Sequence, residues 1–115
     1  MLLRRGDVVL VLFPDSNLRT AKRRPALVVQ PDDLETGLAQ TVVAMITSNL
    51  DRAGHPSRVS IACSSPDGNA MGLRLDSVVM ADNLATVLER EIDRVIGHSG
   101  NMLPVDAALR HTLGL

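Results

Sequence analysis

Apolar residues in this chain come in short blocks rich in β-branched side chains, each closed by turn-forming residues. Val8-Val9-Leu10-Val11-Leu12-Phe13 is apolar without a break, which reads as a strand buried on both faces rather than one alternating between core and solvent. Thr41 to Thr47 repeats that pattern. Pro25 to Gln30 is a second strand of the same kind, because proline lacks a backbone N–H and belongs at a strand's first residue or on a sheet edge. Arg58-Val59-Ser60-Ile61-Ala62-Cys63 alternates, with Val59 and Ile61 on one side. Ser77 to Asp82 makes a fifth strand and Val95-Ile96-Gly97 a short sixth.

Turn chemistry separates these blocks at Pro14-Asp15-Ser16-Asn17, at Pro31-Asp32-Asp33 and around Pro66-Asp67-Gly68. A short irregular or helical piece follows Asp33, and Leu50 to Ser57 reads as an exposed loop. Pro104 opens an amphipathic helix that runs to Leu113 and is closed by Gly114. Val105, Ala108, Leu109 and Leu113 share one of its faces. Short strands with a terminal helix in 115 residues predict a single domain spanning 1–115, mainly β (α+β), built as a small β-barrel with short helices. Strands apolar on both faces need cover that one helix supplies only in part. A homodimer would provide the rest; the alternative is that the helix and loops suffice.

Cys63 is alone, so no intrachain disulfide forms and a reducing compartment fits best. Its place inside an expected strand reads as a small core residue. No apolar stretch approaches the ~20 residues of a membrane span, and a cytoplasmic protein without membrane contact is expected. The chain has one Phe and no Trp or Tyr, which argues against binding single strands by stacking bases on aromatic rings.

Charge is unevenly spread. Through Gln30 there are six cations (Arg4, Arg5, Arg19, Lys22, Arg23, Arg24) and two carboxylates (Asp7, Asp15), a balance of +4. The formal total is −1, so the remainder carries −5. A local basic patch of this kind governs contact with a polyanion even on an acidic protein. Its densest part, Lys22-Arg23-Arg24, runs straight into Pro25. Proline pushes Arg24 into an extended conformation, so the guanidinium rides on a stiff backbone beside a buried strand. That suits a group holding an anion in fixed geometry; the alternative is a solvated basic turn feeding a strand.

Familiar catalytic signatures are missing. His55, His98 and His111 show no metal-ligand spacing, and there is no glycine-rich phosphate loop, so neither metal nor cofactor is expected. An enzyme built from this chain would work with Arg, Thr or Ser, and Asp. Attack of a ribose 2′-OH on its own phosphodiester is chemistry such a set supports, because the phosphorane gathers charge that fixed donors can stabilise. Arg24 is the candidate donor and Thr47, at a strand end before Ser48-Asn49, the candidate hydroxyl. A strand-ending turn is an equal reading of Thr47.

Gly6-Asp7 with the run to Phe13, Lys22 to Val29, Ile46-Thr47-Ser48-Asn49, Ser77-Val78-Val79 through Asp82-Asn83, and Ile96-Gly97 follow one another in order and spacing. Together they resemble the MazF/PemK (Kid) family of bacterial toxin endoribonucleases over nearly the whole chain. The resemblance implies an SH3-like, PemK-like β-barrel homodimer. It implies metal-independent, sequence-specific cleavage of single-stranded RNA, leaving 2′,3′-cyclic phosphate and 5′-hydroxyl ends. A cognate antitoxin would block the RNA groove with a disordered tail. By position, Arg24 would stabilise the phosphate and take part in proton transfer, Thr47 would orient the 2′-OH or phosphate, and Asp82 would match an acidic residue implicated in the reaction. Lys22, Arg23, Arg19, Ser48 and Asn49 would contact RNA. The chain departs from the family at Met80, where some members carry a catalytic arginine, and in Leu18-Arg19-Thr20-Ala21-Lys22.

Three other readings share the fold. A toxin directed at DNA gyrase would use an extended tail bearing tryptophan, which Thr112-Leu113-Gly114-Leu115 does not offer. A homologue that binds antitoxin or nucleic acid without cutting would be consistent with Met80. A peptide-binding SH3 module needs aromatic walls, which one Phe cannot build.

Overall fold

The computed structural model describes residues 2–14, 17 and 19–115. Six strands form one antiparallel sheet: β1 (Asp7–Pro14), β2 (Ala21–Val28), β3 (Gln40–Thr47), β4 (Arg58–Ile61), β5 (Ser77–Leu88) and β6 (Ile92–His98), in the spatial order β4-β5-β3-β2-β1-β6. Two helices accompany them, α1 (Pro66–Ala70) and α2 (Leu103–Leu113). The expected turn at Pro14-Asp15-Ser16-Asn17 lies in part outside the described residues.

The path from β5 to β6 dictates the curvature. These strands are separated in the sheet by β3, β2 and β1, four spacings or ~19 Å if the sheet were flat. Only Glu89–Glu91 joins them, and the four steps from Leu88 to Ile92 reach at most ~14 Å. The sheet therefore curls until its two sides approach. Inside the curl Val9, Val11, Ala26, Val28 and Val43 pack with Val87 and Ile92. On the other face Val8, Leu27, Ala44, Ile46 and Val79 pack against Met71 and Val105 of α2. Both faces of β3 are thus covered within one protomer, whereas Leu12 of β1 stays 43% exposed.

The barrel is not closed by hydrogen bonds: β4 and β6 remain the two edges of the ladder. The segment carrying α1 lies between them. A Cβ on Gly68 would overlap the carbonyl of Ala62, just beyond β4, and Cβ atoms on Gly72 and Gly97 would overlap the Ile96 carbonyl and the Met71 backbone. Backbone packed on backbone leaves no room for a side chain, so glycine is required here.

Several elements differ from the sequence expectation. Pro25 sits inside β2, opposite Leu10, not at its start. Only Ala26–Val28 pair with β3, so the proline occupies a stretch of β2 that is an edge on that side and tolerates the missing N–H. Pro66 opens a short helix where a turn was expected. Ser65 Oγ caps it, accepting the Gly68 N–H at 3.0 Å, with Pro66 in the first turn. Cys63 lies beyond β4, half-exposed rather than in the core, and its N–H donates to Asp76 Oδ1 at 3.0 Å. In α2, Val105 and Ala108 are buried, but Leu113 is 56% exposed, since the helix outruns the surface it packs on. Arg5 pins this helix, donating to Asp106 Oδ1 at 2.6 Å and to the Val29 carbonyl at 2.9 Å. Among the described residues no helix is long and apolar enough to cross a membrane.

Candidate active site

A groove of about 640 Å³ opens where β2, β3 and β6 meet the loop after α1. Arg23, Arg24 and Pro25 form one wall, Thr47 and Ser48 at the end of β3 another. Residues 72–75, between α1 and β5, and residues 94–96 of β6 complete it over a floor at Leu10 and Ile46. The structure thus brings together Arg24, Thr47, Arg23 and Ser48, residues that lie on two strands and more than twenty positions apart in sequence.

Thr47 is fixed by its own neighbour. Its Oγ1 accepts the Asn49 N–H at 3.1 Å, which occupies a lone pair and leaves the hydroxyl proton available as a donor. Asn49 does not line the groove. Its Oδ1 accepts the Asp51 N–H at 3.1 Å and caps the turn at Leu50–Arg52. Lys22 and Arg19 are exposed outside the groove.

Asp82 lies elsewhere. Opposite the step from Ala44 to Met45, β5 passes from Leu84 to Met80, so residues 81–83 bulge out of the ladder. There the Asp82 carboxylate takes two hydrogen bonds from Arg58, at 2.8 and 3.3 Å, while Arg58 also donates to the Arg52 carbonyl at 3.1 Å. The Arg58 guanidinium holds the Asp82 carboxyl below its usual range. Met80, paired with Met45 and Arg58, does not line the groove.

Two further cations were not singled out in the sequence. Arg74 comes from the loop after α1 and Arg94 from β6. Strand β6 carries two irregularities against β1: Leu10 faces Arg94 but Val11 faces Ile92, and Val8 faces Gly97 but Val9 faces Val95. Asp93 is the extra residue of the first bulge, and such bulges re-aim side chains beside functional sites. From there Asp93 pairs with Arg23 at 3.4 Å and Arg94 at 3.8 Å. No carboxylate lines the groove itself, and no ion pair is formed by Arg24 or Arg74 among the described residues. Nor do those residues contain a cluster of three or more His, Cys, Asp or Glu suited to a metal ion.

A curled antiparallel sheet with a groove lined by arginines and strand-end hydroxyls defines a small, mainly β protein. The chain belongs to the PemK-like, MazF-like toxins of type II toxin-antitoxin systems, whose family model matches residues 4–113. Among its relatives, the endoribonuclease MazF6 of Mycobacterium tuberculosis H37Rv is 32% identical over 119 residues, covering all of both chains. The endoribonuclease EndoA of Bacillus subtilis 168 is 30% identical over 118 residues, spanning all of this chain and 97% of that one. A solved mycobacterial endoribonuclease in complex with its cognate antitoxin superposes with a TM-score of 0.74 at 25% identity, over 98% of this chain and 96% of that one. The family and mainly β class expected from the sequence are those observed.

Proposed function

We propose that this toxin is an endoribonuclease that cuts single-stranded RNA in the arginine groove without a metal ion, leaving 2′,3′-cyclic phosphate and 5′-hydroxyl ends. The observation that carries the reading is the meeting of Arg24 and the Thr47 hydroxyl in a groove that no carboxylate lines among the described residues. A phosphodiester is repelled by carboxylates and held by a planar guanidinium fork.

The groove supplies electrostatics first. As the 2′-oxygen bonds to phosphorus, the equatorial oxygens gain charge, and Arg24 with the Thr47 O–H meets it with donors already in place. Among the described residues no imidazole or carboxylate lines the groove, so the 2′-OH proton leaves to hydroxide. As the P–O5′ bond breaks, the departing alkoxide is a stronger base than neutral guanidine and takes a proton from Arg24, which water restores. Arg23 and Ser48 hold the strand; Lys22, Arg19 and Asn49 reach RNA only beyond the groove.

The test is incubation of purified protein with a long unstructured RNA in EDTA, wild type beside Arg24→Ala, with cut ends mapped. Discrete cuts ending in 5′-hydroxyl, lost in the variant, are expected. Intact RNA that remains bound would instead favour a toxin that binds without cutting. A cognate antitoxin is the expected protein partner, as for the mycobacterial relative solved with its own; an acidic segment laid over the arginines would exclude RNA. A homodimer belongs to the proposal through family membership, and sedimentation tests it.

A further inference from the structure

One phosphodiester does not account for the charge of this groove. Among the described residues four guanidiniums line it, from Arg23, Arg24, Arg74 and Arg94, and one carboxylate, Asp93, is paired with two of them, which leaves a net +3. A diester carries one negative charge. Like charges crowded on three separate elements repel one another, and a strand passing successive phosphates through the groove relieves that repulsion. Between the arginines, Leu75 and Val95 are 62% and 42% exposed, apolar surfaces on which an unstacked base can lie where there is no aromatic ring.

We infer that Arg74 and Arg94 form a second phosphate subsite, which binds the linkage next to the scissile one and sets the register of the RNA on Arg24 and Thr47. Asp93 positions this subsite by tethering Arg94 to Arg23 across β1. Arg74, without a counter-ion among the described residues, is the more sensitive of the two. The inference rests on the RNA reading of the groove and assigns the two arginines to binding rather than to the bond-making step.

The experiment measures binding and cleavage separately. Affinity for a fully 2′-fluoro single-stranded oligonucleotide, which cannot be cut, is titrated from 50 to 200 mM salt for wild type, Arg74→Gln, Arg94→Gln and the control Arg110→Gln on exposed α2. Each groove variant is expected to bind roughly tenfold more weakly and to lower the slope of log affinity against log salt by about 0.7. The control is expected to match wild type. On cleavable RNA the groove variants raise KM and leave kcat within about twofold, the mark of binding shared by ground and transition state. Unchanged slope and affinity in both groove variants, or an equal loss in Arg110→Gln, overturns the subsite. Because binding is read without cleavage, failure of the wild type to cut RNA refutes the endoribonuclease reading alone, and failure of the slopes to change refutes the subsite alone.

Discussion

Replacing Arg24 by Gln tests the proposed site most directly, because it separates chemistry from stability. The side chain is exposed and forms no ion pair among the described residues, and its backbone stays in the ladder opposite Val11 whatever the side chain. Surface changes of this kind shift stability by about 0.5 kcal/mol at most. For 115 residues, an unfolding entropy near 2.1 cal/mol/K per residue makes that about 2 °C in Tm.

The effect on rate is far larger. The phosphorane gains about one unit of negative charge over the ground state, and a guanidinium ~4 Å away at an effective dielectric of ~20 stabilises it by about 4 kcal/mol. At 1.36 kcal/mol per tenfold this is roughly 10³ in kcat. Loss of the two-pronged hydrogen bonding takes the figure toward the ~10⁵ that arginines reach in phosphoryl transfer. Arg24→Lys keeps the charge but not the fork, and is expected to recover less than tenfold of the loss. Single-turnover cleavage with enzyme in excess measures the chemical step, with Tm recorded for every variant. Cleavage by Arg24→Gln within tenfold of wild type, at an unchanged Tm, would refute the assignment. A Tm drop beyond about 8 °C would show that Arg24 is a structural residue after all.

Thr47→Val removes both the donor to phosphate and the acceptor for Asn49 N–H; kcat is expected to fall about 10²-fold or more with ~1 kcal/mol of stability, whereas Thr47→Ser retains much of both. Gly97→Ala places a methyl group in the Met71 backbone and is expected to cost roughly 1–3 kcal/mol, a Tm fall of ~4–12 °C by calorimetry. Asp82→Asn breaks the Arg58 clasp and is expected to lose about 0.5–1 kcal/mol for a partly exposed pair with kcat little changed; loss of kcat at constant Tm would instead make Asp82 a reacting group. Because the folded Asp82 pKa is lowered from its usual 3.8, the clasp contributes fully above that value and is lost as pH falls through the folded one, so the stability gap between wild type and Asp82→Asn should close in acid denaturation. Cleavage itself is expected to rise steadily with pH through neutrality, since among the described residues no imidazole or carboxylate lines the groove to take the 2′-OH proton and hydroxide must do so; a limb near pH 6.5 in the rate profile would reveal an imidazole at work.

The sequence reveals strands wherever both faces are apolar. Strands β1 and β3, and helix α2 with its proline start and glycine stop, follow from that pattern and from capping chemistry. The first half of β2 is hidden because Ala21 to Arg24 expose every side chain, and their extension is imposed by the ladder to β1, not by local preference. The bulges in β5 and β6 break the alternation that marks a strand, so both strands run beyond the residues a period-two reading selects. The Ser65-Pro66 cap of α1 was present in the sequence, yet its helix is only five residues long, too short to show a period. Arg24 stood out in the sequence because it precedes Pro25, although the structure places both inside β2, and Thr47 because it ends the apolar run of β3. Arg74 and Arg94 carried no such signal: one sits in a loop, the other beside the Asp93 bulge of β6, and only the fold brings them together.

The same curvature that encloses the apolar core makes the groove possible. A flat sheet would leave β6 well away from β3. Curling brings Arg94 of β6 and Thr47 of β3 to one cavity, and the glycines that let α1's segment sit against β6 set where Arg74 stands. The protein carries −1 overall while the groove holds a net +3, so the surface outside it bears about −4. With screening over ~8 Å at physiological salt, the proposed RNA strand would be drawn to the groove and to Arg19 and Lys22 outside it, and repelled along the acidic remainder of the surface. On the proposed reading, a neutral or acidic exterior serves the nuclease better than a basic one, because capture of RNA far from Arg24 would be unproductive. Among the described residues, Arg24 and Arg74 form no ion pair. The groove arginines carry exposed side chains on β2, on β6 and on a loop, away from the apolar core.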